Sequence, residues 1–460
     1  MKKQVSAILA ASMAASMLVA CGGSTSSAAT STAPAESTST ASSEAAPAES
    51  TADAGQAADI TLWTYPIGKW GDSESVDALL ADFNAQYPDI HVTVEYLDYT
   101  NGDDQVNTAI EGGSAPDIVM EGPERLVANW GAKGKMLDIS DLWTDEVTSD
   151  ISAVSESVVA ACKNDAGVYY EYPLCMTTHT MAINKEMFEA ADALQYINDD
   201  GTWTTENFEK ALQALKDSGV DTTCIVYCGA QGGDQGTRAL VNNLYSGKFT
   251  SADHQTYTAD SAENKKALQQ LVDWSNAGLI SYDASFAAAD ELQLFANGTI
   301  AMSFCWNASN QSQYASSVTF TPMPVAFPSD DGVPELCGGI WGFGIFDNGD
   351  ANRAAAAKEF IKFVCDDSDQ AVESVRMTGF FPVRASLGDV YAGTADEDRM
   401  NQFSGFMKYL GDYYNVAPAW AEQRTEWWNM LQRCFMGTPV DESVQTYVDN
   451  CNAAIAASKA

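Results

Sequence analysis

The order of strand-like and helix-like segments constrains the fold of this chain more than any other feature. The segment ITLWTY (60–65) alternates and is rich in β-formers, and apolar residues then recur at helical spacing between residues 73 and 90. HVTVEYL (91–97) and APDIVM (115–120) again have the composition of strands. This β-α-β order favours a parallel sheet with helices on both faces, so we predict an α/β fold.

The second half of the chain repeats this style. The segment 202–219 predicts a helix with a threonine cap and with Phe208, Leu212 and Leu215 on one face. TCIVYC (223–228) then predicts a buried strand, and further helices are predicted over 352–366 and 438–458. We therefore expect two α/β lobes rather than one sheet with a tail.

The N-terminal segment is typical of an exported protein. Residues 1–20 carry two lysines followed by a small and apolar run, as in a signal peptide, and LVAC (18–21) resembles a bacterial lipobox. We predict that Cys21 is lipidated and anchors the protein on the extracellular face of the cell membrane. Residues 21–58 continue as a linker that is expected to be disordered, because 22–58 contain no aromatic, Val, Ile, Leu or Met. The alternative is a plain signal peptide with an incidental cysteine.

Charge and cysteine content exclude several kinds of partner. The net charge of −39 argues against nucleic acid and anionic lipid as ligands. Lipidation of one of the ten cysteines would leave nine, so complete pairing is excluded, although one or two disulfides could form. Their spacing fits no zinc pattern. We predict no metal and no cofactor.

Catalytic motifs are missing from the sequence. There is no GxSxG, HExxH or Walker A pattern, and the three histidines, His91, His179 and His254, are scattered. We predict that the protein is not an enzyme. Because carboxylates are abundant, a glycosidase pair remains open on counting alone, and a secreted lipoprotein glycosidase is the alternative.

Several stretches together resemble the family 1 extracellular solute-binding proteins of bacterial ABC importers. They include ITLWTY, APDIVMEGPERL, YEYPLCMTTHTMAINKEMFEAA, LFANGTIAMSFCWN, GGIWGFGI, TGFFPVR and APAWAEQRTEWW, in the family's order over residues 59–460. The resemblance implies a two-lobed periplasmic-binding-protein-like fold with a ligand cleft between the lobes. Lobe 1 would comprise 59–175 and 340–372, and lobe 2 would comprise 176–339 and 373–460.

The same resemblance implies a hinge of three chain crossings, near 172–176, at GGIWGFGI (338–345) and between about 366 and 382. The glycines Gly338 and Gly339 would let the backbone cross there, and we expect at least one of them to have a positive φ. The alternative is an ordinary buried strand with packing glycines and with Trp341 in the core.

The function implied by the resemblance is capture of a carbohydrate, an oligosaccharide by preference, and its delivery to the transmembrane permease subunits of an ABC importer. The protein would act as a monomer. The alternatives within the same fold are a non-sugar solute or a role as a ligand sensor.

Sugar recognition combines aromatic rings, which stack on C–H faces, with polar groups that pair with hydroxyls. Glu121 and Arg424 stand where maltose-binding members of the family have aromatics, which puts a maltodextrin ligand in doubt, and Arg424 could instead pair with an acidic sugar. Trp306 occupies the family's tryptophan position, although Trp70 and Trp306 could each be core residues instead. The predicted ligand-binding residues are Tyr65, Lys69, Trp70, Glu121, Glu124, Thr177, Gln231, Asp234, Trp306, Trp341, Trp420 and Arg424.

Overall fold

The computed structural model describes residues 57–98, 101–229, 234–412 and 416–458. The strands are β1 (Ala58–Thr64), β2 (Ile90–Tyr96), β3 (Ile118–Glu121), β4 (Tyr172–Thr178), β5 (Thr180–Asn184), β6 (Ile225–Tyr227), β7 (Ser281–Asp283), β8 (Met302–Trp306), β9 (Pro322–Val325), β10 (Gly338–Ile345) and β11 (Phe381–Pro382). The helices are α1 (Ser73–Gln86), α2 (Gly102–Glu111), α3 (Pro123–Arg125), α4 (Asp145–Ser152), α5 (Glu156–Ala161), α6 (Lys185–Ala190), α7 (Thr205–Asp217), α8 (Asp234–Leu244), α9 (Ala262–Asn276), α10 (Ala288–Ala296), α11 (Ala308–Gln313), α12 (Ala351–Asp366), α13 (Ser368–Thr378), α14 (Glu397–Ser404), α15 (Trp420–Phe435) and α16 (Val440–Ser458).

The largest sheet has six strands in the order β11-β4-β10-β3-β1-β2. β1 runs parallel to both β2 and β3, as the β-α-β order predicts. β10 comes from much later in the chain and inserts antiparallel between β3 and β4. The α/β prediction is therefore confirmed, and the sheet is mixed rather than wholly parallel.

Two smaller sheets complete the described strands, β8-β5-β9 and β6-β7. The chain passes from the six-stranded sheet to the three-stranded one at His179, the single residue between β4 and β5. At this end of β4, Thr178 pairs with Gly338 of β10, so these two strands run side by side where the chain leaves the large sheet.

The helices begin where short polar side chains satisfy free backbone donors. The Thr204 hydroxyl accepts the N–H of Asn207 at the start of α7, which confirms the predicted threonine cap. The predicted apolar face of this helix, with Phe208, Leu212 and Leu215, is fully buried. The amphipathic pattern therefore places α7 against the core as expected.

The glycines of β10 are needed because there is no space for a side chain, and their backbone conformation is that of an ordinary strand. The expectation of a positive φ at Gly338 or Gly339 is wrong, because both lie in the strand and neither has a φ in the left-handed region. A Cβ on Gly338 would overlap the carbonyl oxygen of Thr177, and one on Gly339 would overlap the ring of Trp341. Only glycine therefore fits the close approach of β10 to β4 and to its own tryptophan.

The nine cysteines in the described part of the chain are all buried thiols. They pack as small apolar side chains, and the one or two disulfides that the sequence left open are not formed among them. Within the same residues, no helix is long and apolar enough to cross a membrane, and no group of three or more potential metal ligands is assembled.

Candidate functional site

Residues from β1, β3 and α15 meet at the carboxyl ends of the two strands. Tyr65 directly follows β1, Glu121 ends β3, and Trp420 begins α15. They are joined through Arg125, and together with neighbouring groups they form what we call the Arg125 cluster. Its members are Tyr65, Asp103, Glu121, Glu124, Arg125, Trp420 and Arg424. The carboxyl ends of parallel strands are the usual ligand position in α/β sheets.

Arg125 is the centre of the cluster and is buried. Its Nε lies 2.7 Å from Asp103 Oδ1, and its Nη1 lies 2.8 Å from Glu121 Oε1. The Tyr65 hydroxyl donates to the same Asp103 oxygen at 2.5 Å. One guanidinium therefore links two acids from different elements and fixes their positions.

Two guanidinium groups lie close to the indole of Trp420. The Cζ atoms of Arg125 and Arg424 lie 5.1 and 4.4 Å from its ring centroid, which is cation–π geometry. The buried indole Nε1 has no hydrogen-bond partner among the described residues. Because an unmade buried hydrogen bond costs about 1–3 kcal/mol, this donor favours an acceptor from a bound molecule.

Burial controls the protonation of the cluster. Burial raises the pKa of Glu121 to about 7, while Arg125 lowers it and Glu124 raises it. The N–H of Gly122 donates to Glu121 Oε2 at 2.6 Å. Burial, and then Asp103, raise the pKa of the Tyr65 hydroxyl well above its ordinary value. At neutral pH Tyr65 is therefore a donor, and Glu121 is poised between acceptor and donor.

Glu171 lies beside the cluster and precedes β4. Its side chain is fully buried, and neither carboxyl oxygen has a hydrogen-bond partner among the described residues. Burial raises its pKa well above the ordinary value, and Glu124 and Glu121 raise it further. Burial without a hydrogen-bond partner therefore favours the protonated, neutral form of this carboxyl.

Arg125, Asp103 and Glu171 were missed by sequence reasoning. Arg125 carried one signal, because it lies four residues after Glu121, close enough along the chain for an acid and an arginine to pair. Asp103 lies in the first turn of α2, and Glu171 is one glutamate in the quoted stretch YEYPLC. Nothing local distinguishes these two from surface acids.

Thr177 and Trp341 lie on the paired strands β4 and β10. Thr177 is buried, pairs with Gly339, and donates its hydroxyl to the Thr178 carbonyl at 3.3 Å. Trp341 is half-buried and stacks on Phe380, with ring centroids 4.7 Å apart and planes 11° from parallel. One face of Trp341 is therefore already covered by protein.

Two predicted tryptophans are packed among protein groups. Trp70 is fully buried and donates its indole N–H to the carbonyl of Ser374 at 3.3 Å. Trp306 is also fully buried, donates to Gln311 Oε1 at 3.2 Å and contacts the Phe295 ring edge-on. In this arrangement neither ring has an exposed face, and a role for either in solute binding stays a prediction.

The remaining predicted residues either lie outside the Arg125 cluster or are not among the residues that the structure describes. Lys69 is exposed on the short turn Gly68–Gly71. Gln231 lies outside the described residues. Asp234 is the first residue of α8, and its side chain is outside the description.

A polar cavity of about 610 Å³ opens away from the predicted site residues. It lies between α5, the end of α8 and the segments around residues 331–335 and 408–412. Its walls include Ser157, Asn242, Lys248, Glu335, Tyr409 and Asp412. Cavity size alone therefore does not point to the Arg125 cluster; the convergence of buried polar groups does.

Comparison with known proteins gave one family and many similar structures. The family described as bacterial extracellular solute-binding protein matches residues 69–371. The chain is 18% identical to the sugar-binding protein MalE of Xanthomonas citri, with a TM-score of 0.70, covering 87% of this chain and 98% of that one. No match was found among curated proteins.

Two further solved structures have the same fold and different bound molecules. An ABC substrate-binding protein of Listeria monocytogenes, in complex with cycloalternan, is 19% identical with a TM-score of 0.66, covering 86% of this chain and 99% of that one. UgpB of Mycobacterium tuberculosis, in complex with glycerophosphocholine, is 18% identical with a TM-score of 0.67. The match covers 87% of this chain and 100% of UgpB. At these identities the likeness shows the fold alone.

Proposed function

Because this chain belongs to the bacterial extracellular solute-binding protein family, we propose that it captures a carbohydrate, by preference an oligosaccharide, and delivers it to the permease of an ABC importer. Proteins of this family are solute-binding components of ABC transporters and are not enzymes. This membership overturns the alternative of a secreted glycosidase. The proposal extends the family function to a ligand class and to a site.

The observation that carries the ligand class is the Arg125 cluster. It combines an aromatic ring with an unpaired indole donor, buried carboxylates and a guanidinium in one place. A carbohydrate needs these groups together, because its C–H faces stack on rings while its hydroxyls require both donors and acceptors. An apolar ligand would leave the cluster's polar groups without partners, at a cost.

Two of the structural neighbours support a sugar, since one is described as sugar-binding and one holds cycloalternan. The third holds glycerophosphocholine, which keeps a non-sugar solute as the second candidate. A sensor role would use the same fold and the same site.

We further infer that the site lies between two lobes, 59–175 with 340–372 and 176–339 with 373–460. The contact of Arg125 with Trp420 supports this, because it joins a residue of the first range to one of the second. We also infer that Cys21 is lipidated and holds the protein, as a monomer, on the extracellular face of the membrane. The LVAC segment supports the anchor, and Cys21 lies outside the described residues.

Solute binding can be tested with a matched pair of tryptophan variants. A thermal-shift screen of mono- and oligosaccharides would identify a ligand, and calorimetry would then compare Trp420→Ala with Trp428→Ala, eight residues along the same helix. We expect Trp420→Ala to weaken binding by roughly 1–3 kcal/mol, as an aromatic hot spot does, and Trp428→Ala to leave the affinity unchanged.

The proposal fails in two distinguishable ways. A protein that binds no sugar of the panel but binds glycerophosphocholine would establish the second candidate function. Equal affinities for the wild type and Trp420→Ala would leave the sugar class intact and remove the Arg125 cluster from the site.

A further inference from the structure

Glu171 is an acid that the proposed solute site does not use. Its side chain is fully buried, and both carboxyl oxygens lack a hydrogen-bond partner among the described residues. An ionised carboxylate in that position would lose its hydration without gaining a hydrogen bond or a counter-charge. Such a loss strongly destabilises the folded state. The geometry therefore requires the carboxyl to carry its proton.

Among the described residues, the charged groups that act on Glu171 are acids. β3 contributes Glu121 and α3 contributes Glu124, and both oppose a second negative charge. The neighbouring cation, Arg125, is bonded to Glu121 and Asp103. Within the described residues, Glu171 also acts on the buried thiols of Cys162, after α5, and Cys175, in β4, and burial raises the pKa of both thiols.

The position of Glu171 connects two parts of the fold. Its backbone N–H donates to the Cys162 carbonyl, and its carbonyl accepts the indole N–H of Trp143 at 3.1 Å. The next residue begins β4, the strand that leads from the six-stranded sheet to the three-stranded one. Movement of this residue would therefore shift both the base of β4 and the neighbourhood of Glu121.

We propose that Glu171 is a proton-linked latch beneath the Arg125 cluster, whose neutral carboxyl is buried when the base of β4 is packed and loses its proton when that packing opens. Acid conditions hold the latch closed, and rising pH loosens it. The device is independent of which solute the protein carries.

The direction and size of the pH effect on opening follow from proton linkage. The closed state binds the Glu171 proton more tightly than the open state, in which the carboxyl returns to its ordinary pKa of about 4.5. Opening is therefore favoured about tenfold for each pH unit above that value, as long as the closed carboxyl stays protonated.

Hydrogen exchange of the whole protein without solute tests the latch. Wild type, Glu171→Gln and the exposed control Glu146→Gln would be measured at pH 5, 6 and 7, with intrinsic exchange rates divided out, over peptides spanning 118–131 and 169–178. The protection of Glu171→Gln relative to wild type should rise with pH, by up to about tenfold per unit while the closed wild-type carboxyl keeps its proton, because glutamine has no proton to lose. Glu146→Gln should follow the wild type. Titrating groups that do not interact with Glu171 are common to the three proteins, and their effects cancel in the ratio of protection.

A ratio that does not change with pH would overturn the proposal, as would the same pH trend in Glu146→Gln. Should the buried amide prevent folding, Glu171→Met gives a neutral side chain of similar size with no polar atom to satisfy, and the same ratio is expected. Failure of both variants to fold would also count against it, since the proposal requires the closed state to accept a neutral side chain of this size at position 171. No solute enters the experiment, so its outcome is separate from that of the sugar-binding test.

Discussion

Replacing Arg125 with methionine would remove the only guanidinium that contacts Glu121 among the described ion pairs. Methionine keeps most of the apolar stem of arginine and removes its charge and donors. Glu121, with 1% of its surface exposed, would then be left without its partner. The change therefore isolates the charge of Arg125 from its packing.

The expected loss of stability depends on pH. Breaking a buried ion pair by removing one partner costs about 3–5 kcal/mol, because the other charge stays buried. The pair with Asp103 contributes less, since the Asp103 side chain is 47% exposed and water screens it. We expect the free energy of unfolding to fall by about 3–5 kcal/mol at pH 8.5, where Glu121 is ionised in the wild type.

The loss should shrink as the pH falls below 7. Burial raises the pKa of Glu121 to about 7 even with Arg125 present, and removing the guanidinium raises it further. At pH 5.5 Glu121 is therefore protonated in both proteins, and the difference due to its charge disappears. The remaining loss, from the contacts of Arg125 with Asp103 and two aromatic rings, should be no more than about 2 kcal/mol.

Urea unfolding followed by tryptophan fluorescence at pH 5.5, 7 and 8.5 would measure these differences. Lys210→Met, which breaks the exposed pair with Glu206, is the control and should cost less than about 1 kcal/mol at every pH. The double variant Arg125→Met, Glu121→Gln should recover much of the loss at pH 8.5. A cost that is the same at all three pH values would refute the reasoning.

Two further predictions concern single residues. Trp306→Ala should lower the free energy of unfolding by about 3–5 kcal/mol, as truncation of a fully buried tryptophan does. The melting temperature and the sugar affinity of the same variant would be measured. Lost affinity with an unchanged melting temperature would instead place Trp306 in the binding site. Cys21→Ala should release the protein into the medium or leave it unprocessed, and cell fractionation with mass spectrometry would show this, whereas processed, acylated protein in the membrane fraction would contradict the anchor.

The local fold was predictable where one segment carries its own pattern. The β1–α1–β2 unit and the capped helix α7 follow from periodicity and from single capping residues, which are local properties of the chain. The place of β10 was not predictable from the pattern of its residues. It pairs with β3 and β4 across more than 150 residues, and no short-range signal fixes a partner that far away.

The candidate site was predictable in part for the same reason. The rule that ligands lie at the carboxyl ends of strands indicated Tyr65 and Glu121, and both lie in the Arg125 cluster. Arg125 itself follows an acid in PERL, a pattern more common on solvated helix faces. Glu171 is one of 63 acidic residues, and burial without a partner is a property of the assembled fold that a single sequence does not express.

The glycines of GGIWGFGI do lie where the strands approach closely, but the reason that the sequence suggested for them is wrong. Glycine was expected there for a left-handed backbone, yet the positive φ lies instead at Gly349, in the following turn, where a Cβ would meet nothing within 4 Å. In β10 the backbone is ordinary and the space is missing: a Cβ on Gly342 would lie 2.5 Å from the Cα of Pro173. Gly342 also pairs with Glu121. The glycines therefore let β4 and β10 approach each other beside Glu121, the acid that pairs with Arg125. The residues that allow this close strand pairing thus also determine how closely the buried charges of the site are packed.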